Sequence, residues 1–315
     1  MNIFSIIFIF CNSIKISMPG NVRDVDVGNN SSLSMKEFDL DEMCENPAIV
    51  MIAKRASGKS WVCRAILKKF KDIPVGIIIA PTEKMATPPF YSEFFPDAYI
   101  HYEYRSEIIE KVLYRQDEMI EKQIQKQKLG INIDPRGFIL MDDCLSSKGS
   151  WAKDKPILDL LFNGRHYRLM YMLTMQFPLG ISPELRGNFD YIFLLKESIH
   201  SNLKRLYDHY AGIFPTFESF RQVFKVLTNN YGVMVIVNRD TNGEFLDQIK
   251  WYKAVNDKVG MIGCDQFIRN HQHNYDPEWR RKNKKFNIDT YTKKKSTAKQ
   301  FTVNKITKDG DDVIE

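Results

Sequence analysis

Residues 48–70 read AIVMIAKRASGKSWVCRAILKKF. Ala48 to Ile52 is an unbroken apolar run, the pattern of a strand buried on both faces. Val62, Ile66 and Leu67 then share one face at helical spacing. Between them lies Ala53-Lys54-Arg55-Ala56-Ser57-Gly58-Lys59-Ser60, followed by Trp61. Its spacing is that of a phosphate-binding loop between a strand and a helix. The order has a chemical reason: backbone N–H groups of the loop and the helix N-terminus point at phosphates. Gly58 allows close backbone approach, Lys59 would reach the β- and γ-phosphates, and the Ser60 hydroxyl would ligate Mg2+. Residues 53–61 are therefore the candidate nucleotide cradle. Ala53 stands where the strict pattern has glycine, and alanine resists a positive φ, so the first turn is expected to differ.

Further along, Val75 to Ala80 (VGIIIA) reads as a second buried strand closed by Pro81. A loop marked by Pro88, Pro89 and Pro96 carries Tyr91, Phe94 and Phe95. Arg105 to Leu129 has the periodicity of a long helix, ended by Gly130 and Pro135. Gly137 to Met141 is an apolar strand that runs straight into Asp142 and Asp143. In a parallel sheet the carboxyl ends of the strands face the ligand crevice. Asp142 could hold Mg2+ there, directly or through water, and Asp143 could take the proton of an attacking water or orient it. After a helix at Pro156–Tyr167, Leu169 to Met175 is another strand, and Gln176 follows its end. A glutamine amide both donates and accepts, so Gln176 could touch water and γ-phosphate together. Asp190 to Leu195 completes five apolar strands separated mostly by helices. The expected fold is α/β, a wound, largely parallel sheet flanked by helices.

Beyond Leu195 two helices are expected, Asn202–Tyr210 and Phe217–Leu227. Two strands follow, Tyr231–Asn238 and Gln248–Ala254, joined through Asp240-Thr241-Asn242-Gly243 and extending the sheet in antiparallel fashion. The expected organisation is a flexible lead-in over residues 1–46, an ATPase domain over 47–275 and a basic, disordered tail over 276–315. The lead-in is rich in Asn, Ser, Gly and Asp between Pro19 and Asp39. In 279–299 nine Lys or Arg residues face only Asp289. Such a tail could bind a phosphate backbone, serve nuclear import, or simply solubilise the chain end.

The chain has 315 residues, a net charge of +6 and 43% hydrophobic residues, ordinary for a soluble globular protein. Five scattered cysteines (Cys11, Cys44, Cys63, Cys144, Cys264) form no CxxC pattern. That favours reduced thiols over a disulfide framework or a zinc site. The apolar start, Met1 to Cys11, is shorter than the ~20 residues that span a bilayer and lacks the basic flank of a signal peptide. Secretion is not expected, and Met18 is an alternative start.

Three stretches together, AKRASGKS, FILMDDC and NGRHYRLMYMLTMQFPLGISPELRGNFDYIFLLKE, resemble the poxvirus-type DNA packaging ATPases of large double-stranded DNA viruses. Those belong to the FtsK–HerA branch of P-loop NTPases. The similarity covers about Pro47 to Ala254. Its most specific piece is the Gly164-Arg165-His166 turn, followed by Gln176-Phe177-Pro178-Leu179-Gly180 and Arg186-Gly187-Asn188-Phe189-Asp190. The resemblance implies a RecA-like core, ATP with Mg2+, a ring homo-oligomer and translocation of duplex DNA into a capsid. Partners would be double-stranded DNA, further copies of the chain, and capsid or internal-membrane components of the virion, without a stable transmembrane segment. The expected location is the virion or a host-cell assembly site, a cytoplasmic factory rather than the nucleus.

On this reading Lys59 and Mg2+ neutralise the triphosphate, Ser60 and Asp142 hold the metal, Asp143 activates water and Gln176 senses the γ-phosphate. An arginine from a neighbouring subunit completes the site, with Arg186 preferred over Arg165 and Arg168. Arg186 is expected near a sheet edge. The rivals are a cellular or plasmid-type FtsK–HerA DNA pump, and an assembly protein that uses nucleotide as a latch with little hydrolysis. A GTPase is disfavoured, since the later chain shows no Asn-Lys-x-Asp element.

Overall fold

The computed structural model describes residues 22–28, 31–144, 151–239 and 245–278. Among them, residues up to His273 form one compact unit, and those from Asn274 belong to a second. The expected 240–243 turn and the basic 279–299 run lie outside the described residues.

The chain opens with a hairpin, β1 (Val22–Gly28) and β2 (Ser31–Lys36). The phosphate-loop unit is β3 (Ala48–Ile52) followed by α1 (Lys59–Lys69). Then come β4 (Val75–Ile79), the short β5 (Ile100–His101), α2 (Ser106–Gln127) and β6 (Gly137–Asp142). Next are α3 (Lys155–Asn163), β7 (Leu169–Met175), α4 (Pro183–Arg186) and β8 (Tyr191–Leu194). The chain continues through α5 (His200–Tyr210), α6 (Phe217–Leu227), β9 (Val233–Val237), α7 (Phe245–Gln248), β10 (Ile249–Tyr252) and α8 (Asp265–Asn274).

Eight strands form one sheet in the order β10-β9-β8-β3-β7-β6-β4-β5. From β8 to β5 every neighbour is parallel, while β9 runs antiparallel to both β8 and β10. This is the RecA-like P-loop arrangement: β7 lies between the phosphate-loop strand β3 and the two-carboxylate strand β6. All five apolar runs are strands of this sheet, and the later pair extends it in antiparallel fashion, as the sequence predicts.

Strand periodicity divides the core. Val50 and Ile52 join one cluster with residues of α2, α3, α5 and α6, including Ile109, Ile157, Leu206 and Phe224. Ile49 and Met51 face the other side with Val62, Ile66 and Leu67 of α1 and with Phe94 and Phe95. Successive residues of a strand point to opposite faces, so continuous apolar runs are what a sheet covered on both sides requires.

The lead-in is corrected by the structure. From Val22 it is built into the fold, with Met35 and Phe38 buried. The Phe38 N–H donates to the Trp251 carbonyl (2.7 Å), and the Trp251 indole donates to the Met35 carbonyl (3.1 Å). The segment thus covers β10, the exposed edge of the sheet, which needs cover against pairing with other chains. Among the described residues no helix is long and apolar enough to cross a membrane.

Candidate active site

The loop after β3 is shaped by three local features. Ala53 continues the strand, donating its N–H to the Met175 carbonyl (2.9 Å), and is buried. It is not among the residues with positive φ, which removes the objection to alanine there. The left-handed positions are Ala56 (φ 60°) and Gly58 (φ 92°). Gly58 suits this conformation, while Ala56 adopts it at a cost. Ser57 fixes the turn by donating its hydroxyl to the Lys54 carbonyl (2.6 Å). Gly58 is the N-cap of α1, so the first N–H groups of the helix open toward the loop.

Above the loop lies a cavity of about 730 Å³. Its lining includes eight of the nine predicted cradle residues, all but Ser57, together with Asp142, Asp143 and Gln176. Topology brings them together, because β3, β7 and β6 are adjacent and parallel and end at the same level.

Asp142, the last residue of β6, is almost fully buried and fully satisfied. Its Oδ1 pairs with the Lys59 ammonium at 2.8 Å and accepts from the Thr174 hydroxyl at 2.5 Å. Its Oδ2 accepts from the Tyr91 hydroxyl at 2.8 Å. Tyr91 is itself held by Glu83, whose Oε1 accepts the Tyr91 N–H at 2.6 Å. Burial alone would lower the Lys59 pKa, but the Asp142 carboxylate, with Asp143 beyond it, holds the ammonium above its ordinary value. The Tyr91 hydroxyl is pushed well up by burial and by Asp142, so it stays a donor.

Asp143 is left-handed (φ 56°), and its N–H donates to Thr174 Oγ1 at 3.1 Å. Such a φ is uncommon for a non-glycine residue and clusters at functional sites. The Gln176 amide donates to Asp143 Oδ2. A carboxylate and an amide from neighbouring strands therefore meet at the cavity, beside the Lys59–Asp142 pair.

Among the described residues no group of three or more His, Cys, Asp or Glu could form a metal cage. Mg2+ characteristically binds through one or two protein oxygens and takes waters and substrate phosphates for the rest. The Ser60 hydroxyl on the first turn of α1 and the Asp142 carboxylate are the oxygens that would hold it.

Arg186 departs from expectation. It precedes β8, which has a neighbour on each side and is no edge. Its Nε and Nη2 donate to the Ile181 carbonyl (3.1 and 2.7 Å), and Nη1 lies 2.9 Å from His209 Nδ1. The guanidinium also covers the Tyr210 ring at 5.3 Å, so it is anchored within its own subunit. Arg165 pairs with the buried Asp190, which also holds the Ala48 N–H (2.8 Å). The Arg168 side chain is exposed and makes no hydrogen bond or ion pair among the described residues.

Sequence reasoning missed Thr174, Tyr91 and Tyr231. Thr174 was findable as the one threonine in LMYMLTM, directly opposite Asp142 in the β6–β7 register. Tyr91 and Tyr231 reach the site only through tertiary folding.

No family model matches the sequence. The uncharacterized protein L437 of Acanthamoeba polyphaga mimivirus is 47% identical over 253 residues, 80% of this chain and 88% of that protein. The uncharacterized protein 075L of Invertebrate iridescent virus 6 is 34% identical over 235 residues, 73% and 87% of the two chains. Among solved structures, the genome packaging NTPase B204 of Sulfolobus turreted icosahedral virus 2 with ATP-gammaS aligns at a TM-score of 0.43 and 18% identity, covering 68% of this chain and 100% of that one. The pCW3 conjugation coupling protein TcpA aligns at 0.45 and 13%, covering 76% and 66%. The chain belongs with the mimivirus and iridescent-virus proteins to one family found in large DNA viruses, and its motifs resemble those of P-loop NTPases of the FtsK–HerA branch.

Proposed function

We propose that this chain is the ATP-driven motor that moves viral double-stranded DNA into the capsid during virion assembly. The observation that carries the catalytic part is the meeting of Gln176 with Asp143 beside the Lys59–Asp142 pair. A lysine held ready, a buried carboxylate and a carboxylate–amide pair on adjacent strand ends are the parts that phosphoryl transfer to water needs.

The loop N–H groups of residues 56–60 bind the phosphates. Lys59 leaves Asp142 for the β- and γ-phosphate oxygens, and Thr174 and Tyr91 keep the Asp142 carboxylate oriented when its ammonium partner moves. Mg2+, when bound to Ser60 and Asp142, would supply charge neutralisation to the triphosphate. Asp143 orients the attacking water and accepts its proton, and Gln176 connects that water to the γ-phosphate.

A ring homo-oligomer would add a guanidinium from the neighbouring subunit. Arg186 remains a candidate, but it must give up Ile181 and His209 to cross an interface. Arg168 has no such partners to give up among the described residues. The DNA and capsid parts rest on the family's place in large DNA viruses and on the sequence resemblance. The proposed organisation is an ATPase domain at 47–275, completed by the lead-in from Val22 that packs on β10, and a DNA-attracting tail at 276–315. The proposed site of action is the cytoplasmic factory or the virion.

The test is hydrolysis of ATP by purified protein with and without duplex DNA. Stimulation by DNA supports the motor over a nucleotide latch. Slow hydrolysis that is indifferent to DNA would favour the latch.

A further inference from the structure

The 3-10 turn Asn229–Tyr231 leads into β9 and carries two consecutive left-handed residues that are not glycine, Asn230 (φ 50°) and Tyr231 (φ 60°). Such a pair is uncommon and costs free energy, so its persistence asks what it positions. Because β9 runs antiparallel to β8, the start of β9 lies at the end of the sheet where β3 delivers the phosphate loop. Tyr231 accordingly sits against that loop: a Cβ placed on Gly58 would come within 3.4 Å of Tyr231 Cδ1. Tyr231 lines the same cavity as Lys59 and is 65% exposed.

Two exposed aromatic rings line this cavity, Trp61 and Tyr231. They differ in what already covers them. The Arg64 guanidinium lies 4.2 Å from the Trp61 ring centre, and Phe90 meets the same ring edge-on at 6.0 Å. Arg64 is tied in turn to Asn256 Oδ1 (3.0 Å) and the Asp257 carbonyl (2.9 Å). Tyr231 has no ring, cation or hydrogen-bond partner among the described residues. A large aromatic left bare beside a phosphate cradle is a surface waiting for a flat ligand.

Resting on the nucleotide reading above, we propose that Tyr231 is the platform on which the base of the bound nucleotide stacks, a positioning and affinity residue distinct from the hydrolytic groups. With phosphates on the N–H groups of residues 56–60, the nucleoside leaves the loop along the open cavity. Tyr231, fixed beside Gly58, offers its free face there. The left-handed turn keeps the ring in place before nucleotide arrives, which reduces the ordering cost of binding.

The test is equilibrium binding of ATP and of inorganic tripolyphosphate to the full-length protein and to two variants, Tyr231→Ala and Tyr231→Phe. Loss of one aromatic–base stack is expected to weaken ATP binding of Tyr231→Ala by about 10- to 100-fold. Tripolyphosphate, which has no base, should bind that variant as it binds wild type. Tyr231→Phe keeps the ring and should retain wild-type ATP affinity. Unchanged ATP affinity in Tyr231→Ala overturns the inference. So does an equal loss for ATP and tripolyphosphate, which would make Tyr231 a prop for the loop. Wild-type protein that binds neither ligand would overturn the nucleotide reading itself, and the inference with it.

Discussion

Replacing Lys59 by alanine should do two separable things, and the structure supplies the size of the second. The first is loss of hydrolysis, since the ammonium that neutralises the β- and γ-phosphates is gone. The second is a loss of stability in the nucleotide-free protein. Lys59 and Asp142 stand 2.8 Å apart, with side-chain exposures of 14% and 5%. At an effective dielectric of about 20, two unit charges at that distance attract by about 6 kcal/mol. Desolvation offsets much of this, so the pair itself adds little net stability. Breaking it is another matter, because Asp142 is left buried without its cation. Such losses run at about 3–5 kcal/mol. Thr174 and Tyr91 still donate to Asp142, which places this site at the lower end, about 3 kcal/mol. For a domain of this size each kcal/mol moves Tm by about 2–4 °C, giving a drop of about 6–12 °C. Thermal melting of nucleotide-free Lys59→Ala measures it. The double variant Lys59→Ala/Asp142→Asn removes the stranded charge and should recover most of the loss. A Lys59→Ala protein that is inactive but melts with wild type would refute the pairing.

Alkaline titration probes the same pair. The folded Lys59 pKa lies above its ordinary 10.5, so its contribution is complete below that value and lost as pH rises through the raised pKa. A wild-type protein whose extra stability over Lys59→Ala stays constant through strongly alkaline pH would contradict it. Asp143→Asn should still bind Mg-ATP but turn over poorly, whereas Asp142→Asn should lose metal affinity. Equal effects of both on binding and turnover would undo the division of roles. Deleting residues 279–315 should leave basal hydrolysis intact and flatten the salt dependence of DNA binding; identical salt slopes would assign the tail another job. Mixing Lys59→Ala with Arg186→Ala, and separately with Arg168→Ala, should restore partial ATPase for whichever arginine acts in trans. An arginine variant that alone keeps full DNA-stimulated activity is excluded as the finger.

The parallel core and most of the site were legible because their signals are local. Ala48–Ile52, the loop after it and the helix face of Val62, Ile66 and Leu67 are contiguous, and Asp142-Asp143 end an apolar run. The hairpin Val22–Lys36 was not legible, because it is short, polar and held by a distant partner, Trp251. Asp142's second hydroxyl partner, Tyr91, lies 51 residues away in the chain and arrives through an aromatic loop anchored on Glu83. The antiparallel return of β9 was expected, but that it sets Tyr231 against the phosphate loop depends on β8 pairing with β3, a contact between distant segments. Only the sheet-edge placement of Arg186 fails, since β9 pairs beside β8; its partners Ile181, His209 and Tyr210 come from the preceding loop and from α5, contacts that no local signal shows.

Movement of DNA is the claim on which the account turns, and displacement of a triplex-forming strand from duplex DNA measures it directly. A translocating motor strips the third strand as it passes. Wild-type protein with ATP should release the strand, while Asp143→Asn, and wild type without ATP, should leave it in place. ATP hydrolysis stimulated by duplex DNA with no displacement would contradict translocation.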